Sequence, residues 1–305
     1  MIKNKKYYII TAIITGIGLF LIIIGGLIGG LKIHSEAYGT FQRSYNVDNP
    51  QSLFINLDMG KLTINKNQTG SGKIEVFGNN VSENNLIMSE TPMGNCRFEY
   101  HQSKYYRFSM MSFGKYYVTP KGIYEYETPS ITISVPESVK KLGVSTNYGD
   151  VKIYDISADN INLELDLGDL YVDNINTRTF EADVNLGDTD FNGITADLFE
   201  IEMDAGDANI ENATIKNLDA SINVGNFEFG GLITAYGEIE MDAGDVDIAF
   251  ADDLQKYALN VNTDFGELKI LGQQYGTPYR PFGSGGMSGL IPFTIESDVG
   301  DVNIN

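Results

Sequence analysis

The sequence has one cysteine, Cys96, and two histidines, His34 and His101, among 305 residues. A single cysteine excludes an intrachain disulfide and a cysteine-rich metal site. The two histidines lie far apart in the chain. Basic residues are also scarce, 21 Lys and Arg against 41 Asp and Glu, for a formal net charge of -20. The imbalance is local. Residues 142–305 hold 6 basic and 31 acidic side chains, whereas residues 34–141 hold 11 and 10. An acidic surface of this kind repels phosphates and excludes nucleic acid as a partner. Residues 142–250 contain no histidine, and Arg178 is their only arginine.

What the sequence does have is a phrase that returns every 19 residues. It reads Asn147-Tyr148-Gly149-Asp150, Asp166-Leu167-Gly168-Asp169, Asn185-Leu186-Gly187-Asp188, Asp204-Ala205-Gly206-Asp207, Asn223-Val224-Gly225-Asn226 and Asp242-Ala243-Gly244-Asp245. A fixed short period marks a solenoid. Apolar columns accompany it at the same step, such as Leu163-Ala182-Ile201, Leu165-Val184-Met203, Leu167-Leu186, Leu170-Thr189-Ala208 and Val172-Phe191-Ile210. Within one repeat, Leu163, Leu165 and Leu167 alternate with polar residues, the period of a half-buried strand. The parity shifts after Gly168-Asp169, where glycine permits a corner. A further column, Ile156-Ile175-Ile194-Ala213, anchors the next corner. The expected fold is all-β: a parallel β-solenoid of 19-residue coils, each made of two or three short strands.

The solenoid is expected over residues 51–305, because Asp58-Met59-Gly60 and Ile131 to Pro136 already follow its pattern. An insertion at 82–128 is rich in tyrosine, phenylalanine, lysine and arginine. Within it Lys104, Tyr105, Tyr106 and Arg107 are the candidate ligand contacts. Aromatics interleaved with cations suit a glycan, an anionic wall polymer or a membrane surface. The same segment would also serve as a cap over the first rung. After residue 250 the phrase recurs at Asp264 and Asp298 with looser spacing, and a Gly/aromatic loop at 272–292 is expected to fold across the last coil or to meet a second chain.

Ahead of the solenoid, residues 7–31 carry no charge, enough to span a bilayer as a helix. Lys3, Lys5 and Lys6 place the N-terminus inside, so residues 34–305 would lie outside the membrane. Residues 1–33 are thus read as cytoplasmic tip and transmembrane helix, and 34–50 as a polar tether. Gly25, Gly26, Gly29 and Gly30 form two overlapping Gly-xxx-Gly pairs, a helix-packing face. Self-association is expected there or at the solenoid end.

The outward columns are acidic. In Asp166-Asn185-Asp204-Asn223-Asp242 the amides are placed to donate to neighbouring carboxylates, which relieves repulsion. Calcium is the functional alternative for such columns, but the Gly-Gly-x-Gly-x-Asp calcium repeat is absent, and no metal ligand, cofactor or catalytic residue is assigned. A carbohydrate-active enzyme on a β-helix is the alternative to a binding module. It would need a carboxylate pair singled out in a cleft, and none stands out from its column.

Ile131-Thr132-Ile133-Ser134-Val135-Pro136, then Leu142 to Ile153 with its Asn147-Tyr148-Gly149-Asp150, resemble a bacterial family known as "putative adhesin", a domain of unknown function. The resemblance covers residues 51–305. It implies a β-solenoid, often beside or on a membrane anchor and in some members linked to envelope-stress responses in Gram-positive bacteria. The chain is expected to be a non-catalytic surface module whose partners are a cell-envelope polymer, a membrane surface or a surface protein. The insertion at 82–128 is longer than the family pattern.

Overall fold

The computed structural model describes residues 33–35, 39–47, 49–68, 72–91, 93–101, 112–113, 116–119, 122–125, 128–280 and 289–305. The segment expected to span a membrane, residues 7–31, lies outside them. Among the described residues no helix is long and apolar enough to cross a membrane. The chain forms two units: Met1–Tyr38 with Ser103–Glu127, and Gly39–Gln102 with Thr128–Asn305. In the first, Ile33–Ser35 runs parallel to Gly122–Glu125, which pairs antiparallel with Tyr116–Thr119, itself antiparallel to Ser112–Phe113.

The second unit is a stack of parallel coils. Leu170–Leu186, Thr189–Ala205, Ala208–Val224 and Phe227–Ala243 are 17-residue strands. They pair so that Leu170 meets Thr189, Thr189 meets Ala208 and Ala208 meets Phe227. The 19-residue step in the sequence is therefore one rung. Neighbouring rungs lie about 4.8 Å apart.

Each coil has three sides, read from which residues are buried. Leu170 and Val172 point inward, then Ile175 and Thr177, then Phe180, Ala182 and Val184. The parity resets at three places. Asn174 turns with φ 57, as do Asp155 and Asn212 in the same column. The second reset falls at Arg178, where Thr177 Oγ1 donates to the Thr179 carbonyl at 2.9 Å. The third is the Gly187 corner. An inward column at Ile161, Phe180, Phe199 and Leu218 thus belongs to the core, beyond the columns read from the alternation.

The Leu167-Leu186 column corrects the sequence reading. It was expected inside, continuing the alternation of Leu163 and Leu165. The corner instead begins before the glycine: Leu165 pairs with Val184 and Leu167 with Leu186, while Asp166 and Asn185 between them drop out of the ladder. That break turns Leu167 and Leu186 out to solvent.

Both ends of the stack are closed with strands of a different direction. At one end Asn95–Tyr100 and Ser130–Val135 form the outer coil, lying parallel on Ser52–Leu57 and Lys61–Lys66. Leu86–Glu90 and Ile74–Asn79 then pair antiparallel on that coil, and Thr40–Tyr45 pairs antiparallel on Ile74–Asn79. The stretch expected as a tether thus contains an edge strand. Phe41 is buried there over Gly78, where an added Cβ would meet its ring at 2.0 Å. Part of the expected insertion is also stack, since Cys96, Phe98 and Tyr100 are buried in the core.

At the other end the rungs are out of sequence order. Ile291–Val299 slots between Phe227–Ala243 and Tyr257–Phe265, pairing parallel with both. Val302–Ile304 likewise lies between Val246–Phe250 and Leu268–Ile270. The last coil in sequence is therefore an inner coil, paired on both edges, and needs no cap. The outer coil is closed by Gln273–Tyr275, antiparallel to Leu268–Ile270, and by the bridge between Tyr279 and Val261.

Candidate functional site

The glycine corner gathers the residues that recur most strictly. Its glycines hold φ between 131° and 152° in eight coils, a region that residues with a Cβ rarely enter. The following Asp has a defined task. Asp169 Oδ1 accepts from the Asp188 N–H at 3.1 Å, Asp188 from Asp207 at 3.0 Å and Asp207 from Asn226 at 2.8 Å. The ladder continues through Asn226 to Asp245, Asp245 to Asp301 and Asp301 to Glu267. One side-chain oxygen per coil is spent on the backbone of the next coil. The Gly-Asp pair therefore serves the corner itself. Asp188→Ala should cost about 1 kcal/mol by removing the acceptor for a solvent-exposed N–H. Asp188→Asn should cost less than half of that, since Asn226 already fills the role. Urea unfolding of both variants checks this.

The column before the glycine behaves as read from the sequence. Asn185 Nδ2 donates to Asp166 Oδ1 at 3.1 Å, and Asn223 Nδ2 to Asp204 Oδ1 at 2.9 Å. Further out on the same side stand Glu181, Glu200, Asp219 and Glu238. Partial desolvation, and then the charges of Asp219, Glu181 and Glu202, push the Glu200 carboxyl above the usual range. Desolvation and then Glu238 do the same to Asp219. The Tyr236 hydroxyl donates to Glu238, which holds its pKa up at about 12. A carboxyl raised in the folded state binds its proton more tightly there than in the unfolded chain. Its ionisation therefore subtracts stability as pH rises through the raised value. Glu200→Gln should raise the melting temperature near neutral pH, and the gain should vanish on acidification below the ordinary carboxylate range. Thermal melts at the two pH values test the sign.

Between the Asp166 and Asp169 columns runs an apolar ridge. Tyr148, Leu167, Leu186, Val224, Val299 and Phe265 occupy one position in successive coils, interrupted by Ala205 and Ala243. Their exposure runs from 46% at Leu167 to 76% at Phe265. Monomeric proteins rarely leave a contiguous apolar stripe rimmed by charge without a use for it. The sequence contained this column but placed it in the core, because the alternation hides the corner.

The contacts assigned from sequence, Lys104, Tyr105, Tyr106 and Arg107, lie outside the described residues. Their attachment does not. The chain leaves the stack after Tyr100, paired with Leu57, and re-enters at Ser130, paired with Lys61. In the neighbouring coil that interval is the short corner at Asp58-Met59-Gly60. The long segment thus replaces one glycine corner. His101 stands at its start, 3.5 Å from Asp58 Oδ1 and 3.4 Å from Glu99 Oε2. Among the described residues no group of three or more His, Cys, Asp or Glu is arranged to hold a metal ion.

A three-sided parallel stack with a glycine corner defines an all-β repeat protein. The chain belongs to the Toastrack DUF4097 family, whose pattern matches residues 51–305. It is similar in fold to the crystal structure of a "putative adhesin" from Bacteroides fragilis, with TM-score 0.51 and 14% identity over 89% of this chain and 100% of that one. A "putative lipid binding protein" from Parabacteroides distasonis matches with TM-score 0.45 and 11% identity over 90% of this chain and 100% of that one. No curated protein matches the chain.

Proposed function

We propose that this chain is a non-catalytic, membrane-anchored surface module. In this reading residues 34–305 lie outside the membrane, and the adhesin-like contact is made by Lys104, Tyr105, Tyr106 and Arg107. Its partner is a cell-envelope polymer, a membrane surface or a surface protein, in the setting of the envelope-stress responses that the family resemblance implies. One observation carries the reading: the aromatic and basic segment is spliced into a single corner, with both flanking strands kept in register. Rigid scaffolds carry binding residues on segments attached in this way. The uncharged run at 7–31, preceded by three lysines, supports the anchor. The adhesin description of a protein with a similar fold points the same way.

The test is co-sedimentation of the full chain, held in nanodiscs of zwitterionic lipid, with isolated cell walls and, separately, with anionic liposomes, each with calcium or chelator. Saturable binding to one of them is expected. It should be lost when Tyr105, Tyr106 and Arg107 are replaced together by alanine, with the melting temperature unchanged. Unchanged binding by that variant would remove the assignment.

A further inference from the structure

We infer that the exposed ridge and the carboxylates beside it form a second binding surface, whose occupant is a cationic amphipathic helix. Two features meet on one corner. Leu167 and Leu186 present half-exposed apolar side chains at successive steps along the stack, and Val224 does so one step beyond Ala205. Asp166, Asp204 and Asp242 flank them on one side. Asp169, Asp188 and Asp207 flank them on the other, each with one oxygen left over from the backbone ladder. None of these carboxylates makes an ion pair among the described residues.

Charge decides among occupants. A second copy would bring its own 31 acidic side chains of residues 142–305 against these, and like charges at close range repel. Nucleic acid and anionic polymers are repelled for the same reason. A neutral apolar surface would strip water from the flanking carboxylates without replacing it. A cationic partner with an apolar stripe satisfies both features. Spacing then favours a helix. One helical turn advances about 5.4 Å, close to the rung spacing of about 4.8 Å, whereas the same face of an extended strand repeats at about 6.6 Å. Eight rungs from Tyr148 to Phe265 give a ridge of about 34 Å, long enough for about six turns. The surface is separate in sequence from residues 104–107, so the two assignments stand or fall independently.

The experiment uses the full chain in nanodiscs of zwitterionic lipid, with empty nanodiscs as the blank. The probe is a synthetic Leu/Lys peptide with its leucines at helical spacing. A scrambled peptide of the same composition and a Leu/Glu version serve as comparisons. Saturable binding of the helical Leu/Lys peptide is expected, weakened by added salt. The scrambled peptide should bind at least about tenfold more weakly, and the Leu/Glu peptide not at all. Joint replacement Leu167→Ser, Leu186→Ser and Val224→Ser should cost a similar factor. So should Asp166→Asn, Asp204→Asn and Asp242→Asn, a change the column tolerates because Asn185 and Asn223 already stand in it. Equal binding of the scrambled peptide, full binding by the serine variant, or no binding of the helical peptide would each overturn the inference. The scrambled-peptide comparison needs no variant, so it holds even where a substitution disturbs folding.

Discussion

Gly206→Ala should destabilise the stack by more than about 4 kcal/mol, far beyond an ordinary surface substitution. Gly206 sits at φ 141. A Cβ there would lie 2.0 Å from the Gly187 carbonyl oxygen and 2.6 Å from its carbon. Both atoms are backbone and cannot swing aside. Relief would require pulling the two coils apart, which breaks the ladder bonds between them, including Gly187 N–H to Ala205 O at 3.1 Å. The control is Gly193→Ala. Gly193 has φ 66, and its nearest neighbours would be 3.6 Å from the new Cβ. There only the left-handed backbone is penalised, at about 1 kcal/mol. Gly193→Asn should be near neutral, because Asn174 and Asn212 hold the same position at φ 57 and 53. Urea unfolding of the three variants orders them. Equal losses for Gly206→Ala and Gly193→Ala would show that the close approach between coils is not what the corner glycine serves.

That contrast explains which parts of the fold could be read in the sequence. The glycine corner was legible because two separate demands, a forbidden backbone angle and a carbonyl in the next coil, admit one residue type in every rung. The Asp after it was legible as a column, though its partner, the N–H of the next coil, is not a local feature. The Asn/Asp alternation at Asp166 and Asn185 was legible as an electrostatic device, because unlike donors and acceptors stacked at one position can bond. The second corner was not. It carries Asp159, Arg178 and Asp197, charged residues that merely point outward, with neither Gly nor Pro to mark the turn. Missing it concealed the column of Ile161, Phe180 and Phe199, whose inward parity makes sense only after that corner. The order of the last two coils was also out of reach. Each carries the same corner phrase, so each fits either slot, and what separates them is which end then needs a hairpin. The candidate contacts at 104–107 rest on composition, which carries no register and so does not say how the segment folds.

Phe199→Ala should cost about 4 kcal/mol, whereas Leu186→Ala, in a column that the alternation had placed inside, should cost no more than about 1 kcal/mol. Phe199 is fully buried, stacked on Phe180 with centroids 5.0 Å apart and edge-on to Phe191 at 5.1 Å. Phe180 also meets Phe191 edge-on at 5.5 Å. Truncation removes the ring's transfer energy and leaves a cavity between coils that are locked in register and cannot collapse to fill it. Leu186 is 51% exposed, so only about half of its side chain leaves water on folding and its truncation leaves no cavity. The two outcomes separate the three-sided coil from a two-sided one, in which Leu186 would be the buried residue and Phe199 the spare one. They also bear on how the stack comes apart. In a solenoid each coil is held mainly by its neighbours. A cavity at Phe199 weakens the contact of its coil with those of Phe180 and Leu218 while leaving distant rungs intact. Hydrogen exchange in Phe199→Ala should therefore accelerate first in Leu170–Leu186, Thr189–Ala205 and Ala208–Val224, with Ser52–Leu57 and Ile291–Val299 keeping their protection longest.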